Sequence, residues 1–201
     1  MLHADFFRLQ QLDGVCGLRL QSDDGTNRLT QACVLSLTEA FLDLARRVQP
    51  VILTGNSKFF SAGADLREIA ALTGPDALVF SRMGQALMNT IENFPLPVHA
   101  AISGYCMGGG LDLALACHRR IASPNAVLAH RGAALGLMTG WGGTQRLSRL
   151  VGKTKALEIF VAAEKLPSAD ALQYGLVDAV ADDPVTEAAR QIRMRGSPRR
   201  D

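Results

Sequence analysis

Two runs of apolar residues constrain this chain more than any other feature. Val51-Ile52-Leu53-Thr54-Gly55 and Val98-His99-Ala100-Ala101-Ile102-Ser103 each read as a short strand without polar alternation. Strands of that kind are buried on both faces, as in a parallel sheet covered by helices. Each is followed by a loop of small residues and then by a helical pattern. Crossovers of ten or more residues between such strands imply largely parallel pairing, and so an α/β fold.

The rest of the chain fits that frame. Residues 17–21 alternate weakly and read as a strand. Thr30 is a plausible N-cap for a helix over 31–48, with Cys33, Leu37, Phe41 and Leu44 on one face. A short helix is expected over 65–72, and a long amphipathic one over 76–94, stopped by Pro95 and Pro97. Further helices are expected over 111–116, 153–162 and 169–174, with brief strands at 120–122, 127–129 and 177–180. There is no linker, no low-complexity stretch and no repeat at a fixed period. Residues 1–184 therefore read as one core domain. Residues 185–201 read as a short polar tail rich in arginine: Arg190, Arg193, Arg195, Arg199 and Arg200. A solvated tail is the plain reading of that cluster, and a phosphate contact the alternative.

Several classes are disfavoured. The net charge of +2 gives no whole-chain argument for nucleic acid. No stretch approaches the length of a membrane span, and residues 1–8 lack the apolar run of a secretory signal. Cys16, Cys33, Cys106 and Cys117 show no C-x-x-C spacing, so they read as reduced core cysteines of a cytoplasmic protein that needs neither metal nor separate cofactor. His3, His99 and His118 carry no pattern.

The chemistry lies in the two loops. The first runs through Phe59-Phe60-Ser61-Ala62-Gly63-Ala64-Asp65-Leu66, the second through Gly104-Tyr105-Cys106-Met107-Gly108-Gly109-Gly110. A helix start leaves backbone N–H groups unpaired and carries partial positive charge. Small residues let a ligand approach that backbone closely. Two such N–H groups aimed at one point make an oxyanion hole. The alternative is a tight turn, in which the glycines serve only backbone geometry. Neither G-x-G-x-x-G nor G-x-x-x-x-G-K-[ST] occurs here, so a nucleotide loop is disfavoured.

These two stretches, with Gly142-Gly143-Thr144-Gln145-Arg146-Leu147 behind them, resemble the signature regions of the crotonase superfamily, the enoyl-CoA hydratase/isomerase family. Val151-Gly152-Lys153 and Ala171-Leu172-Gln173-Tyr174-Gly175-Leu176-Val177 resemble its next two. The likeness runs in order from about Gly17 to Val180. It implies a spiral of ββα units, assembled as a homotrimer or dimer of trimers, and an acyl-coenzyme A thioester as ligand. It places the oxyanion hole on the N–H groups of Ala64 and Gly109, with backbone near Gly108. It places the adenine end of coenzyme A against Ala62, Ala64 and Leu66. It also implies a C-terminal helical region, most of which is absent from the sequence beyond Val180.

The same likeness exposes what is missing. A hydratase of this family uses two glutamates, and the matching positions here hold Asp112 and Gly132. A third acid position used by some relatives is Gly140. No Asp or Glu lies between Asn125 and Gly143. Asp112 alone could move a proton between carbons, as in an isomerase, or could simply cap its helix. His130, next to Arg131, lies beside the missing glutamate and could serve as acid or base. Trp141 stands where a small residue is usual, and either lines the acyl pocket or only packs. Tyr105 reads as structural. Three functions are therefore carried forward: an acyl-CoA isomerase or lyase with an atypical acid set, an acyl-CoA decarboxylase or thioester hydrolase, and a catalytically degenerate binding or assembly protein on the same scaffold.

Overall fold

The computed structural model describes residues 5–196 other than Asp13. His3, Arg199 and Arg200 lie outside the described residues.

Strands β1 (Phe7–Leu12) and β2 (Val15–Leu20) form an antiparallel hairpin. The short β3 (Arg28–Leu29) leads into helix α1 (Gln31–Arg46). Thr30 caps α1, its side-chain oxygen accepting from the Cys33 N–H at 3.2 Å. Then follow β4 (Val51–Thr54), β5 (Phe59–Ser61), β6 (Gly63–Ala64), α2 (Leu66–Ala70) and α3 (Gly74–Glu92). Thr73 and Asp76 close a capping box at the start of α3. The next unit is β7 (Val98–Ile102), β8 (Tyr105–Met107) and α4 (Gly109–Ala116). After it come β9 (Arg119–Ala122), β10 (Val127–Ala129), α5 (Gly143–Val151) and α6 (Lys153–Ala162). The chain closes with β11 (Leu166–Pro167), α7 (Ser168–Gln173), β12 (Ala179–Val180) and α8 (Pro184–Gly196).

Two sheets advance together. The larger runs β1-β2-β4-β7-β9-β12, and the smaller β11-β10-β8-β5. Strands β4, β7 and β9 enter the large sheet in turn, and β5, β8 and β10 enter the small one beside them, all in parallel. Each pair is followed by helix, which makes a spiral of ββα units. The unit starts at Val51, Val98 and Arg119 are unequally spaced, and that is why no fixed period is visible in the sequence.

Alternate residues of the large sheet serve two cores. Val51, Leu53, Val98, Ala100 and Ile102 pack into the main one, with α1 and α3. Val15, Ile52, Ala101 and Ile121 face the other way, where Ala188, Ala189 and Ile192 cover them. Those three residues belong to α8. The stretch expected as a solvated tail from residue 185 is therefore helix to Gly196, with one face against the sheet. Uncovered, that sheet face would expose four apolar side chains, whose burial is worth about 0.8 kcal/mol per methylene.

Candidate functional site: two glycine turns and a buried Asp-His pair

Residues 61–65 are tied down before any ligand is considered. The Ser61 hydroxyl donates to the Asn27 carbonyl at 2.7 Å and accepts from the Gly63 N–H at 3.1 Å. Asp65 caps α2, accepting from the Arg67 N–H at 2.8 Å. Between these anchors the chain turns at Gly63 with φ +92°. A side chain there would be strained, and its Cβ would lie 2.5 Å from the Met107 carbonyl oxygen and 3.0 Å from the Gly109 nitrogen. Glycine at 63 is what lets the first loop touch the second.

The second loop is fixed from its own side. The Gly108 N–H donates to the Ala129 carbonyl at 2.8 Å, and the Asp112 N–H closes the first helical turn on the Gly108 carbonyl at 3.0 Å. Gly109 opens α4, so its N–H belongs to the group that a helix leaves without an internal partner. A Cβ on Gly109 would lie 3.2 Å from the Ala64 nitrogen. The structure thus brings the Ala64 and Gly109 backbones together at the positive end of an eight-residue helix.

Asp112 lies one turn further along α4 and is 1% exposed. Oδ2 accepts a short hydrogen bond from the Thr139 hydroxyl. Oδ1 lies 3.1 Å from Nε2 of His130, which is itself 3% exposed. Those two atoms are close, yet neither completes an aligned hydrogen bond. The carboxylate also abuts Gly143 at the start of α5. The His130 ring rests on Phe160, with centroids 5.1 Å apart.

Trp141 is 3% exposed and reaches across from the loop before α5. Its indole N–H donates to the Phe80 carbonyl at 3.3 Å, and the ring packs on the Phe80 ring at 5.2 Å. Arg146, on the first turn of α5, holds the loop from behind. Its guanidinium donates to the Trp141 carbonyl at 3.1 Å, to Asn89 at 2.8 Å and to Glu92 at 2.6 Å. Ser81 and Gln85 of α3 donate to the Gly140 carbonyl at 2.9 and 2.7 Å.

The remaining expected positions lie in different surroundings. The Ala62 N–H is taken by the Thr26 carbonyl at 2.9 Å, and Leu66 is half-exposed at the start of α2. Tyr105 packs on Phe59 at 5.4 Å on the surface of the small sheet. At Gly132 the loop has closed on itself: the Leu135 and Leu137 N–H groups both donate to the Gly132 carbonyl at 2.8 Å. A Cβ there would lie 2.6 Å from the Leu137 carbonyl oxygen. Sequence reasoning missed Thr139 and Arg146. Thr139 had one faint signal, as the only hydroxyl between Asn125 and Gly143. Arg146 stood inside the quoted Gly142–Leu147 stretch but had no role assigned.

The four cysteines are buried and free. Burial holds the Cys106 thiol well above its usual range and pushes Cys33 and Cys117 up to about 12, so these thiols are unreactive. Among the described residues no three His, Cys, Asp or Glu side chains group to hold a metal ion, and no helix is long and apolar enough to cross a membrane.

Comparison with known proteins points one way. A family profile described as enoyl-CoA hydratase/isomerase matches residues 10–195. A probable enoyl-CoA hydratase of Bacillus subtilis is 47% identical over 151 residues, or 74% of this chain and 58% of that protein. The fatty acid oxidation complex subunit alpha of Shewanella halifaxensis is 43% identical over 150 residues, which are 73% of this chain and 21% of that protein. The chain thus spans less than two thirds of the length of these relatives. The crystal structure of an enoyl-CoA hydratase from Bacillus anthracis superposes with a TM-score of 0.90 at 32% identity, covering 96% of this chain and 78% of the other. With the ββα spiral and the paired glycine turns, these matches establish that the chain belongs to the enoyl-CoA hydratase/isomerase family, within the crotonase superfamily.

Proposed function

We propose that the protein is an acyl-CoA enzyme that stabilises a thioester enolate between the backbone N–H groups of Ala64 and Gly109, and moves a proton with Asp112 and His130. The observation that supports this most is the juxtaposition just described. The two loop backbones meet, and the buried Asp112–His130 pair lies one turn of α4 away. In isomerisation, a base takes a proton from one carbon of the acyl chain. The electron pair moves onto the thioester oxygen, where the two N–H groups hold the anion. The proton then returns at another carbon and the double bond has moved. One acid–base unit is enough for that exchange. Water addition by two carboxylates would need a second acid, and Gly132 supplies neither the acid nor room for one. Each donor of such a hole is worth about 3–4 kcal/mol of barrier.

A second reading is favoured by Trp141. The indole puts apolar surface over Gly109, and an apolar setting disfavours a substrate carboxylate relative to neutral carbon dioxide. In decarboxylation the bond to the carboxylate breaks, its electron pair enters the same enolate, and a proton adds afterwards. No base is needed at the start. Thioester hydrolysis would use the same hole.

A substrate panel separates these readings. Enoyl-CoA esters with a shiftable double bond, acyl-CoA esters carrying an α-carboxylate, and plain thioesters are each incubated with the protein. Double-bond migration, with kcat reduced about 10²–10⁴-fold in Asp112→Asn and little change in binding, is the expected result. Carbon dioxide release would favour the second reading, and free coenzyme A the hydrolase. No binding of any acyl-CoA at millimolar concentration would leave only a degenerate scaffold. We also propose a homotrimer or dimer of trimers needing no separate cofactor. Leu135, Leu137 and Met138 stand exposed in one loop, as an apolar contact between copies would require. Light scattering on the purified chain tests that assembly.

A further inference from the structure

We infer that Trp141 is the end wall of the acyl site and restricts this protein to short-chain acyl-CoA thioesters. This deepens the enolate reading above and rests on it. A methyl group placed on Gly109 would lie 2.6 Å from Cζ3 and 2.9 Å from Cε3 of the indole, and 3.2 Å from the Ala64 nitrogen. The benzo edge of the tryptophan therefore packs against the Cα side of Gly109, beside the backbone that would bind the thioester oxygen. On this inference, the chain of a carbonyl seated there runs along the first turn of α4. On one side that path meets the indole. On the other it meets Ser61, whose Cβ and carbonyl oxygen would each lie 2.7 Å from a Cβ on Gly110.

The wall is rigid. Behind it, Gly84 of α3 has no side chain, and a Cβ at 84 would run into the indole. Phe80 packs on the ring and its carbonyl fixes the indole N–H at 3.3 Å. The Arg146 guanidinium fixes the Trp141 backbone at 3.1 Å. Admitting a long chain would mean moving a ring held on three sides in a close-packed interior, where a change of even one methylene is felt. On this inference a short acyl group is expected to end before the ring.

Trp141 is the only tryptophan in the sequence, so its fluorescence reports on this wall alone. Titration of the full chain with butanoyl-CoA is expected to shift the emission, and titration with coenzyme A alone to leave it nearly unchanged. Calorimetric Kd values are then compared for butanoyl-CoA and decanoyl-CoA. The wild type is expected to prefer butanoyl-CoA at least tenfold. Trp141→Ala is expected to move that ratio at least tenfold toward decanoyl-CoA, and Trp141→Phe, the milder change, to move it part of the way. Wild-type binding of decanoyl-CoA as tight as butanoyl-CoA overturns the inference, whether or not either variant folds. So does an unchanged ratio in both folded variants, while binding itself would leave the enolate reading standing. Failure of every acyl-CoA to bind the wild type overturns both together.

Discussion

His130 Nε2 lies 3.1 Å from Oδ1 of Asp112, and both side chains are sealed from solvent. Thr139 occupies the other carboxylate oxygen. A carboxylate and an imidazole buried in contact are expected to act as one unit. Residues acting as a unit are non-additive when removed. His130→Gln and Asp112→Asn are each expected to lower kcat by about 10²-fold or more. The double variant is expected to be no worse than the poorer single one. Steady-state kinetics of the four proteins checks this. Losses that multiply would separate the two side chains into independent roles.

Gly132 marks the place of the missing glutamate, and the structure gives a physical reason against simply restoring it. The loop folds back so that two N–H groups converge on the Gly132 carbonyl, and the Leu137 carbonyl oxygen stands 2.6 Å from where Cβ would be. Gly132→Glu is expected to gain no hydratase activity and to cost about 1–3 kcal/mol of stability, as overpacked substitutions do. Urea denaturation and a water-addition assay with an enoyl-CoA measure both. Appearance of hydration would mean that the loop opens freely.

The strands at Val51 and Val98 were legible because both their faces are covered, so they show no polar alternation. The glycine turns were legible because close backbone approach excludes side chains, as the contact of Gly63 with Met107 shows. Helix α8 was not. Its arginines dominate a local reading, while Ala188, Ala189 and Ile192 make a narrow stripe that has meaning only against Ile52, Ala101 and Ile121, far away in the chain. The short β6 pairs with β3 over two residues only and leaves no periodicity to detect. The Asp112–His130 contact was hidden for a similar reason. It joins α4 to the end of β10, and no spacing rule spans that distance.

Arg146 ties α5, α3 and the Trp141 loop through one buried guanidinium. Hydrogen bonds from a charged donor contribute about 1.5–3 kcal/mol, and the Trp141 carbonyl would be left buried and unpaired. Arg146→Met keeps the aliphatic stem and removes those donors. Its expected effect is a loss of about 2–4 kcal/mol, with the tryptophan emission shifted to longer wavelength as the indole becomes wetter. A variant with wild-type unfolding midpoint and emission would show that the loop is held by packing alone.

His99 sits on β7, on the sheet face covered by α8, and is 1% exposed with Nδ1 unpartnered. Desolvation by burial pushes its pKa down to about 4 from an ordinary 6.5, and the Arg119 and His118 charges push the same way. A hydrogen bond with the Ala188 backbone and the Asp178 charge oppose this only in part. The folded protein therefore holds a neutral imidazole where the unfolded chain would take a proton. Below pH 6.5 the unfolded state binds more protons, so stability falls as the pH drops from about 6.5 to about 4 and the contribution levels off below. The full effect is about 3 kcal/mol. Urea unfolding of wild type and His99→Leu over that range isolates the term from the carboxylates. The two stability curves are expected to converge as the pH falls, or to cross, with the wild type losing more. Parallel curves would show that His99 accepts a proton as readily when folded as when unfolded.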